Sequence, residues 1–191
     1  MAAGFLVMSF VQNGQYLLLP KHHLIRSCLF FPELHIKKNI RQRLQDYELY
    51  FDRDFDLILE KCVTIHGEDW LTPPLIRAIK EIRSGFNSSG TKDLPVKPVS
   101  FALYREGRLV AGEFGIAAGK VYTSYSGYYE EDNAGTVQMI LTAQYLEKNG
   151  YDFWDLGMPL DYKLTLGARE ISRKEFLQLF LPNSVLLADM L

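Results

Sequence analysis

Two short segments hold the residues best suited to chemistry. Residues 122–129 read Tyr-Thr-Ser-Tyr-Ser-Gly-Tyr-Tyr, and residues 153–157 read Phe-Trp-Asp-Leu-Gly. The second sets one carboxylate, Asp155, behind two large rings on what reads as a buried strand. A lone buried carboxylate is costly unless bonded, and burial raises its pKa. Asp155 is then either a proton relay or orienter of an incoming amine, or an aspartate bonded to the backbone of the loop at 159–166. Tyr122, Tyr125, Tyr128, Tyr129 and Trp154 supply rings that would wall an apolar pocket and stack an adenosine. The plain alternative is strand packing, which aromatics favour. Glu113 is polar in the middle of an apolar strand. It is either an outward-facing residue, as alternation favours, or a second carboxylate paired near Ser124.

The elements that must position these residues follow from periodicity and punctuation. Residues 99–104 alternate cleanly, Glu106-Gly107 turns them into residues 109–116, and Ala117-Ala118-Gly119 turns those into residues 121–129. That is an antiparallel meander. A helix over 134–148 follows, with Val137, Ile140, Leu141 and Tyr145 inward and Asn149-Gly150 closing it. Residues 152–157 then return as a buried strand beside residues 121–129. Ser172 and Glu175 form a capping box for a last helix carrying Phe176, Leu179 and Phe180, with Pro182 stopping it and a hydrophobic tail after it.

Upstream, the apolar runs 5–10 and 16–19 flank Gln12-Asn13-Gly14, a hairpin signal. Lys21, His22, His23 and Arg26 fall in a loop, and Leu29-Phe30-Phe31 is a short extended piece. Residues 35–43 are a basic run entering a helix, with Ile40, Leu44 and Tyr47 on one face and Lys37, Lys38, Arg41 and Arg43 toward solvent. Residues 48–51 read as a short strand. Asp52 caps a helix with Phe55, Ile58, Leu59 and Cys62 at helical spacing. Thr72 caps a third helix with Pro73 in its first turn and Leu75, Ile76, Ile79 and Ile82 inward. Residues 84–98 are rich in breakers and small polar residues. The chain therefore divides into a small N-terminal α+β lobe (1–84), a linker loop (85–98) and a main domain (99–191).

Composition narrows the classes. The 191 residues are 48% apolar and 23% charged, with a net charge of -2, so bulk charge announces no nucleic-acid binder and any polyanion must meet a local basic patch. The two cysteines, Cys28 and Cys62, have no metal spacing and read as reduced core fillers; no metal or cofactor is expected. His22, His23 and His66 have no partner spacing for a metal either. The N-terminal apolar run is too short for a signal or a membrane span. A cytoplasmic, membrane-free monomer is the expectation.

A meander, a crossover helix and a parallel returning strand form the core order of the GNAT-type acyltransferase fold, in which two neighbouring strands splay and leave a gap. Here those would be residues 121–129 and 152–157. On specific motifs the chain further resembles the leucyl/phenylalanyl-tRNA–protein transferases, which carry a GNAT-type domain behind a small lobe. The resemblance runs through Phe31-Pro32-Glu33-Leu34-His35-Ile36-Lys37-Lys38, Asp52…Phe55…Cys62, Trp70-Leu71-Thr72-Pro73, Gly107 to Gly112, Phe114 to Gly119, and Leu166-Gly167-Ala168-Arg169-Glu170-Ile171-Ser172-Arg173. It implies transfer of a hydrophobic amino acid, Leu or Phe, from charged tRNA to a protein's N-terminal amine, marking the acceptor for degradation.

On that resemblance Asp155 and Ser126 are the catalytic candidates. Tyr122, Tyr125, Tyr128, Trp154, Gly157, Tyr162 and Thr165 would bind the transferred residue and the tRNA 3′ end. Lys37, Lys38, Arg41 and Trp70 would contact tRNA, with Lys21 and Arg26 as further candidates; for the basic residues a solvated helix face is the equal alternative. The chain departs from the family pattern where its glutamate is Tyr125, its methionine Gly127, its glutamine Gly157, its histidine Tyr162 and its first-strand glutamate Ala102. Glu113 would then supply the carboxylate missing at Tyr125. Two other functions stay open: a GNAT-type N-acyltransferase using acyl-CoA, and a non-catalytic relative that binds tRNA or protein N-termini. The loop before the crossover helix, Glu130-Glu131-Asp132-Asn133-Ala134-Gly135-Thr136, weighs against CoA, because its acids would repel a pyrophosphate.

Overall fold

A computed structural model of the chain describes residues 1, 3–67, 70–85 and 96–183. The meander forms as its alternation and turns predict: β5 (Lys97–Arg105), β6 (Arg108–Ala118) and β7 (Val121–Tyr129) are successive antiparallel neighbours. Helix α4 (Ala134–Lys148) crosses over, and β8 (Phe153–Gly157) returns parallel to β7. This is the GNAT-type order. The protein is α+β, with a seven-stranded mixed sheet in the order β4-β5-β6-β7-β8-β3-β9.

Three of those strands lie outside the meander and its return. Strand β4 (Glu48–Phe51) adds to the outer edge of β5. Strand β3 (Ile25–Leu29) lies between β8 and β9 (Arg169–Ser172), antiparallel to both. The sequence predicts a loop at 21–26 and another ending at 166–169; residues 22–24 and 166–168 are indeed loop, but Ile25 and Arg26 already belong to β3 and Arg169 opens β9, with a short helix α5 (Asp161–Thr165) between β8 and β9. The reason is non-local. Strand β3 carries Arg26 and Ser27, polar residues that make it look like a loop, yet both are buried against partners on β8 and around it. Strands from both sides of the predicted 85–98 boundary thus complete one sheet. Residues 86–95 of that linker, and the tail after residue 183, lie outside the described residues.

Helix α4 covers one face of the sheet. Its Val137, Ile140, Ala143 and Leu146 pack with Phe101, Tyr122, Trp154 and Leu156. The opposite face is covered by α2 (Phe55–His66) and α3 (Pro73–Arg83) over the meander, and by α6 (Arg173–Asn183) over β3 and β8. The β1 (Leu6–Gln12) and β2 (Gln15–Lys21) hairpin turns at Asn13-Gly14, both at positive φ. It forms a separate two-stranded sheet.

The caps differ in detail from expectation. Asp54 rather than Asp52 precedes α2, while Asp52 accepts from Arg83 (2.6 Å) and Lys97 (3.3 Å). Thr72 does precede α3, but its hydroxyl donates to Ser9 at 2.6 Å instead of capping. Ser172 caps α6 through the Glu175 amide at 3.2 Å, and the helix runs past Pro182 to Asn183. The basic run at 35–43 forms only the single turn α1 (Lys38–Arg41), followed by a 3-10 turn, Leu44–Asp46.

Candidate functional site

Strands β7 and β8 pair for three residues only, Val121↔Phe153, Tyr122↔Trp154 and Thr123↔Asp155, and then part. From Ser124 onward β7 continues beside β6 alone. A bulge sits at the same point: Ser124 opposes Gly115 and Ser126 opposes Phe114, so Tyr125 is the extra residue. A bulge bends its strand and re-aims the side chains that follow. Two buried carboxylates flank this opening, one on each face of the sheet.

Asp155, on the α6 face, is fully buried and fully occupied. Its Oδ2 receives Arg26 Nη2 at 2.5 Å and the Thr123 hydroxyl at 3.0 Å, and its Oδ1 receives the Gly157 amide at 3.0 Å. Arg26 is itself buried, stacks over the Phe176 ring at 4.7 Å, and donates to His23 Nδ1 at 3.0 Å. Burial, reinforced by the Arg26 charge, lowers His23 to about 4, so the neutral ring accepts that bond. Neither of the two partners foreseen for Asp155 is a cation; the structure supplies an arginine from β3. Arg26, at 1% exposure, is not available to a tRNA phosphate.

Glu113, on the α4 face, is also buried rather than outward-facing, because β6 is covered on both faces and alternation leaves none of its central residues to solvent. Its cross-strand neighbour is Gly127, where an added Cβ would lie 3.1 Å from the Glu113 Cβ; the glycine leaves room for the glutamate. The Ser124 hydroxyl donates to Glu113 Oε2 at 3.3 Å, and Trp154 Nε1 donates to the same Ser124 oxygen at 2.8 Å. Glu113 Oε1 is buried with no hydrogen-bond partner among the described residues, as is the Tyr122 hydroxyl. Burial pushes the Glu113 carboxyl up to about 8, partly offset by the Tyr122, Ser124 and Gln138 side chains and the Lys163 charge.

Lys163, a residue without any expected role, reaches into the opening from α5. Its ammonium donates to the carbonyls of Leu156 (2.6 Å) and Met158 (2.8 Å), where β8 has left β7. A sheet edge exposed inside a protein needs such a donor. Burial lowers Lys163 to about 8, against the opposing pull of Asp155 and Glu113.

The remaining predicted residues divide among three places. Tyr122 and Trp154 stand on the Glu113 face; Tyr122 lies over Gly115, where an added Cβ would meet its ring at 2.7 Å. Tyr125, Tyr128 and Ser126 point to the α2 face. Tyr125 stacks between Trp70 (5.3 Å) and Phe114 (5.7 Å) and donates to the Val7 carbonyl, Tyr128 packs under Lys61, and Ser126 lies beside the Cys62 thiol, which burial raises to about 12. The rings therefore do not wall one pocket, and Trp70 is placed with Tyr125 rather than with the basic residues. Gly157 ends β8 with its amide on Asp155.

Third, Lys37, Tyr162 and Thr165 line a cavity of about 170 Å³ with His35, Asn133 and Thr136, between the start of α4 and α5. Burial and the Glu113 charge raise the Tyr162 phenol. Lys38 and Arg41 are exposed nearby in sequence. In the loop before α4, Glu131 is bound by Arg108 (2.6 Å) and Arg105 (3.3 Å), and Glu130 by Lys61, so that loop is less repulsive to anions than its acids suggest. Among the described residues no group of three or more His, Cys, Asp or Glu could hold a metal ion, and no helix is long and apolar enough to cross a membrane.

A mixed sheet with a crossover helix, parted strands and buried polar groups at the parting defines an acyltransferase-like α+β protein. Residues 28–181 match the family model described as leucyl/phenylalanyl-tRNA protein transferase. The chain belongs to that family. Similar curated proteins are the leucyl/phenylalanyl-tRNA–protein transferases of Pseudomonas entomophila (32% identical, 79% of this chain and 65% of the relative) and Maridesulfovibrio salexigens (29%, 81% and 63%). The chain thus spans just under two thirds of the length of the curated relatives it matches. Among solved structures, a conserved protein of unknown function from Bacteroides thetaiotaomicron aligns at TM-score 0.46 and 12% identity, over 77% of this chain and 58% of the other.

Proposed function

We propose that this chain moves a hydrophobic aminoacyl group, leucyl or phenylalanyl, from a charged tRNA to the N-terminal amine of an acceptor protein in the cytoplasm. The observation that carries this is the family match over residues 28–181, which spans both parted strands and the cavity beside them. The donor is an activated ester, so the site has mainly to hold two reactants together and give the amine's proton a path. In this reading the cavity at Lys37, Tyr162 and Thr165 receives only part of the tRNA 3′ end, with Lys38 and Arg41 available to its phosphates. Asp155, saturated by Arg26, Thr123 and Gly157, serves as the anchor that holds β3 and β8 in place beside the opening.

The test mixes the purified chain with labelled Leu- or Phe-tRNA and peptides that begin with Arg, Lys, Asp or Glu. Label appearing on an Arg or Lys peptide is the expected outcome. No labelled peptide with any of them, together with acyl transfer from a CoA thioester, would replace this function by CoA-dependent acylation. No transfer from either donor, with retained tRNA or peptide binding, would make the chain a binding protein.

A further inference from the structure

The proton of the attacking amine needs an acceptor at the strand opening, and Asp155 is already bonded at both oxygens. Three donors share its two oxygens, one of them the buried Arg26 guanidinium. Glu113 differs in each respect. Among the described residues one of its oxygens is buried without a hydrogen-bond partner, and the other accepts from the Ser124 hydroxyl, with the Tyr122 and Gln138 side chains near enough to steady its charge.

That hydroxyl, Ser124, is half-buried and is the first β7 residue beyond the last β7–β8 pair. A serine oxygen offers one proton and two lone pairs. Here the proton goes to Glu113 and one lone pair receives Trp154 Nε1, which fixes the hydroxyl's orientation and leaves one lone pair for an incoming N–H.

Resting on the aminoacyl-transfer function above, we propose that Ser124 and Glu113 form the proton path of the reaction. Ser124 Oγ takes the proton of the attacking amine while passing its own to Glu113. The neutral amine nitrogen forms the C–N bond to the ester carbonyl carbon, and its proton moves through Ser124 to Glu113 Oε2. Collapse of the tetrahedral intermediate breaks the C–O bond to the tRNA ribose, and the same proton returns through Ser124 to the departing oxygen. One proton travels from nitrogen to oxygen and nothing is oxidised or reduced. Ser124 contacts the reactants; Glu113 acts through it.

Burial keeps Glu113 protonated up to about pH 8, so the path opens as the pH rises through that value. The titratable groups facing Glu113 are Tyr122 from β7 and Lys163 and Tyr162 from α5, and Cys62 of α2 feels its charge from the other face. Lys163 is the one of these that is cationic near neutrality, and its loss of charge near the same pH raises the Glu113 inflection slightly.

The experiment compares single-turnover peptide labelling by the wild type, Glu113→Gln and Ser124→Ala from about pH 6 to about pH 9.5, reading the ratio of wild-type to variant rates. The ratio cancels titration of the peptide's own amine, which ionises near the same pH. For Glu113→Gln it should rise about tenfold per pH unit below about 8 and level off above it, reaching on the order of a hundredfold or more. Ser124→Ala should fall to a similar rate, and the double variant should fall no further, because the two residues act as a unit. A ratio that is flat with pH, including a ratio of one, would overturn the proton path while leaving aminoacyl transfer standing, as would additive losses in the double variant. A wild type that labels no peptide at any pH would overturn the transfer function itself and this path with it.

Discussion

Asp155 and Glu113 sit on opposite faces of one sheet, beside the same strand opening, and almost equally deep. Their partners differ completely. Asp155 holds a guanidinium, a hydroxyl and a backbone amide. Among the described residues Glu113 holds one hydroxyl and an oxygen with no hydrogen-bond partner, and burial raises its carboxyl to about 8. Neighbouring residues of β7 make the contrast sharp, for Thr123 donates to Asp155 and Ser124 to Glu113. Burial alone therefore says little about what a carboxylate does. A saturated one ties elements together, and an under-partnered one is left able to exchange a proton.

The largest expected effect comes from breaking the saturated side. Asp155→Ala would strand the Arg26 guanidinium, which is 1% exposed. Removing one member of a buried ion pair typically costs about 3–5 kcal/mol, because the other charge stays buried and uncompensated. A urea midpoint should register that loss. The double variant Arg26→Met with Asp155→Leu should recover most of it, since an apolar pair of similar volume is often nearly neutral. A single variant as stable as the wild type would remove the basis for calling Asp155 an anchor.

The same kind of substitution on the other side should behave in the opposite way. Glu113→Gln leaves shape intact, so below about pH 4.5, where the carboxyl is neutral in the folded and the unfolded chain alike, the variant should match the wild type within about 1 kcal/mol. The difference should then depend on pH. The Glu113 carboxyl is raised on folding from 4.5 to about 8. Its contribution to stability is fully present below 4.5 and is lost as the pH rises through 8, by about 1.4 kcal/mol for each pH unit in that window. Glu113→Gln lacks this dependence and should gain on the wild type between those values. Lys163 runs the other way. Its folded pKa of about 8 lies below its ordinary 10.5, so the wild type regains stability only above pH 8. Denaturation midpoints measured across that range, with no divergence between wild type and Glu113→Gln, would show that Glu113 is not desolvated.

This pairing of faces was only half legible in the sequence. Strands β5 to β8 and helix α4 could be read because their signals are local: alternation, Gly-containing turns and a helical stripe. So could the opening, from the order meander, crossover, return. Arg26 could not, because it looks like a loop residue until β3 is paired with a strand 129 positions away. Glu113 was visible as an oddity, but its direction was not, since a strand covered on both faces carries no outward alternation to read. The splitting of the tyrosines is hidden for a related reason. The bulge at Tyr125 shifts the strand by one residue, and a shift of one exchanges faces. Nothing local in Ser-Tyr-Ser-Gly marks where it falls.

The smallest single effect, at Thr123, belongs to the finest comparison, between the adjacent hydroxyls. Thr123→Val keeps shape and removes one of three donors from Asp155, whose guanidinium and amide remain. That should cost about 1 kcal/mol, the usual net worth of one hydrogen bond. Ser124→Ala deletes the hydroxyl outright and takes away more partners. It leaves Trp154 Nε1 without its acceptor and Glu113 without the Ser124 donor, and each stranded buried group costs about 1–3 kcal/mol. Ser124→Ala should therefore destabilise more than Thr123→Val, although threonine's contact is the shorter one. The two should also part in their pH behaviour. Losing a donor to the charged carboxylate raises the pKa of Glu113 further, so the stability inflection near pH 8 should move upward in Ser124→Ala and stay in place in Thr123→Val. If both inflections stayed fixed, the serine would not be bonded to the ionised glutamate, and the two faces of the opening would be alike after all.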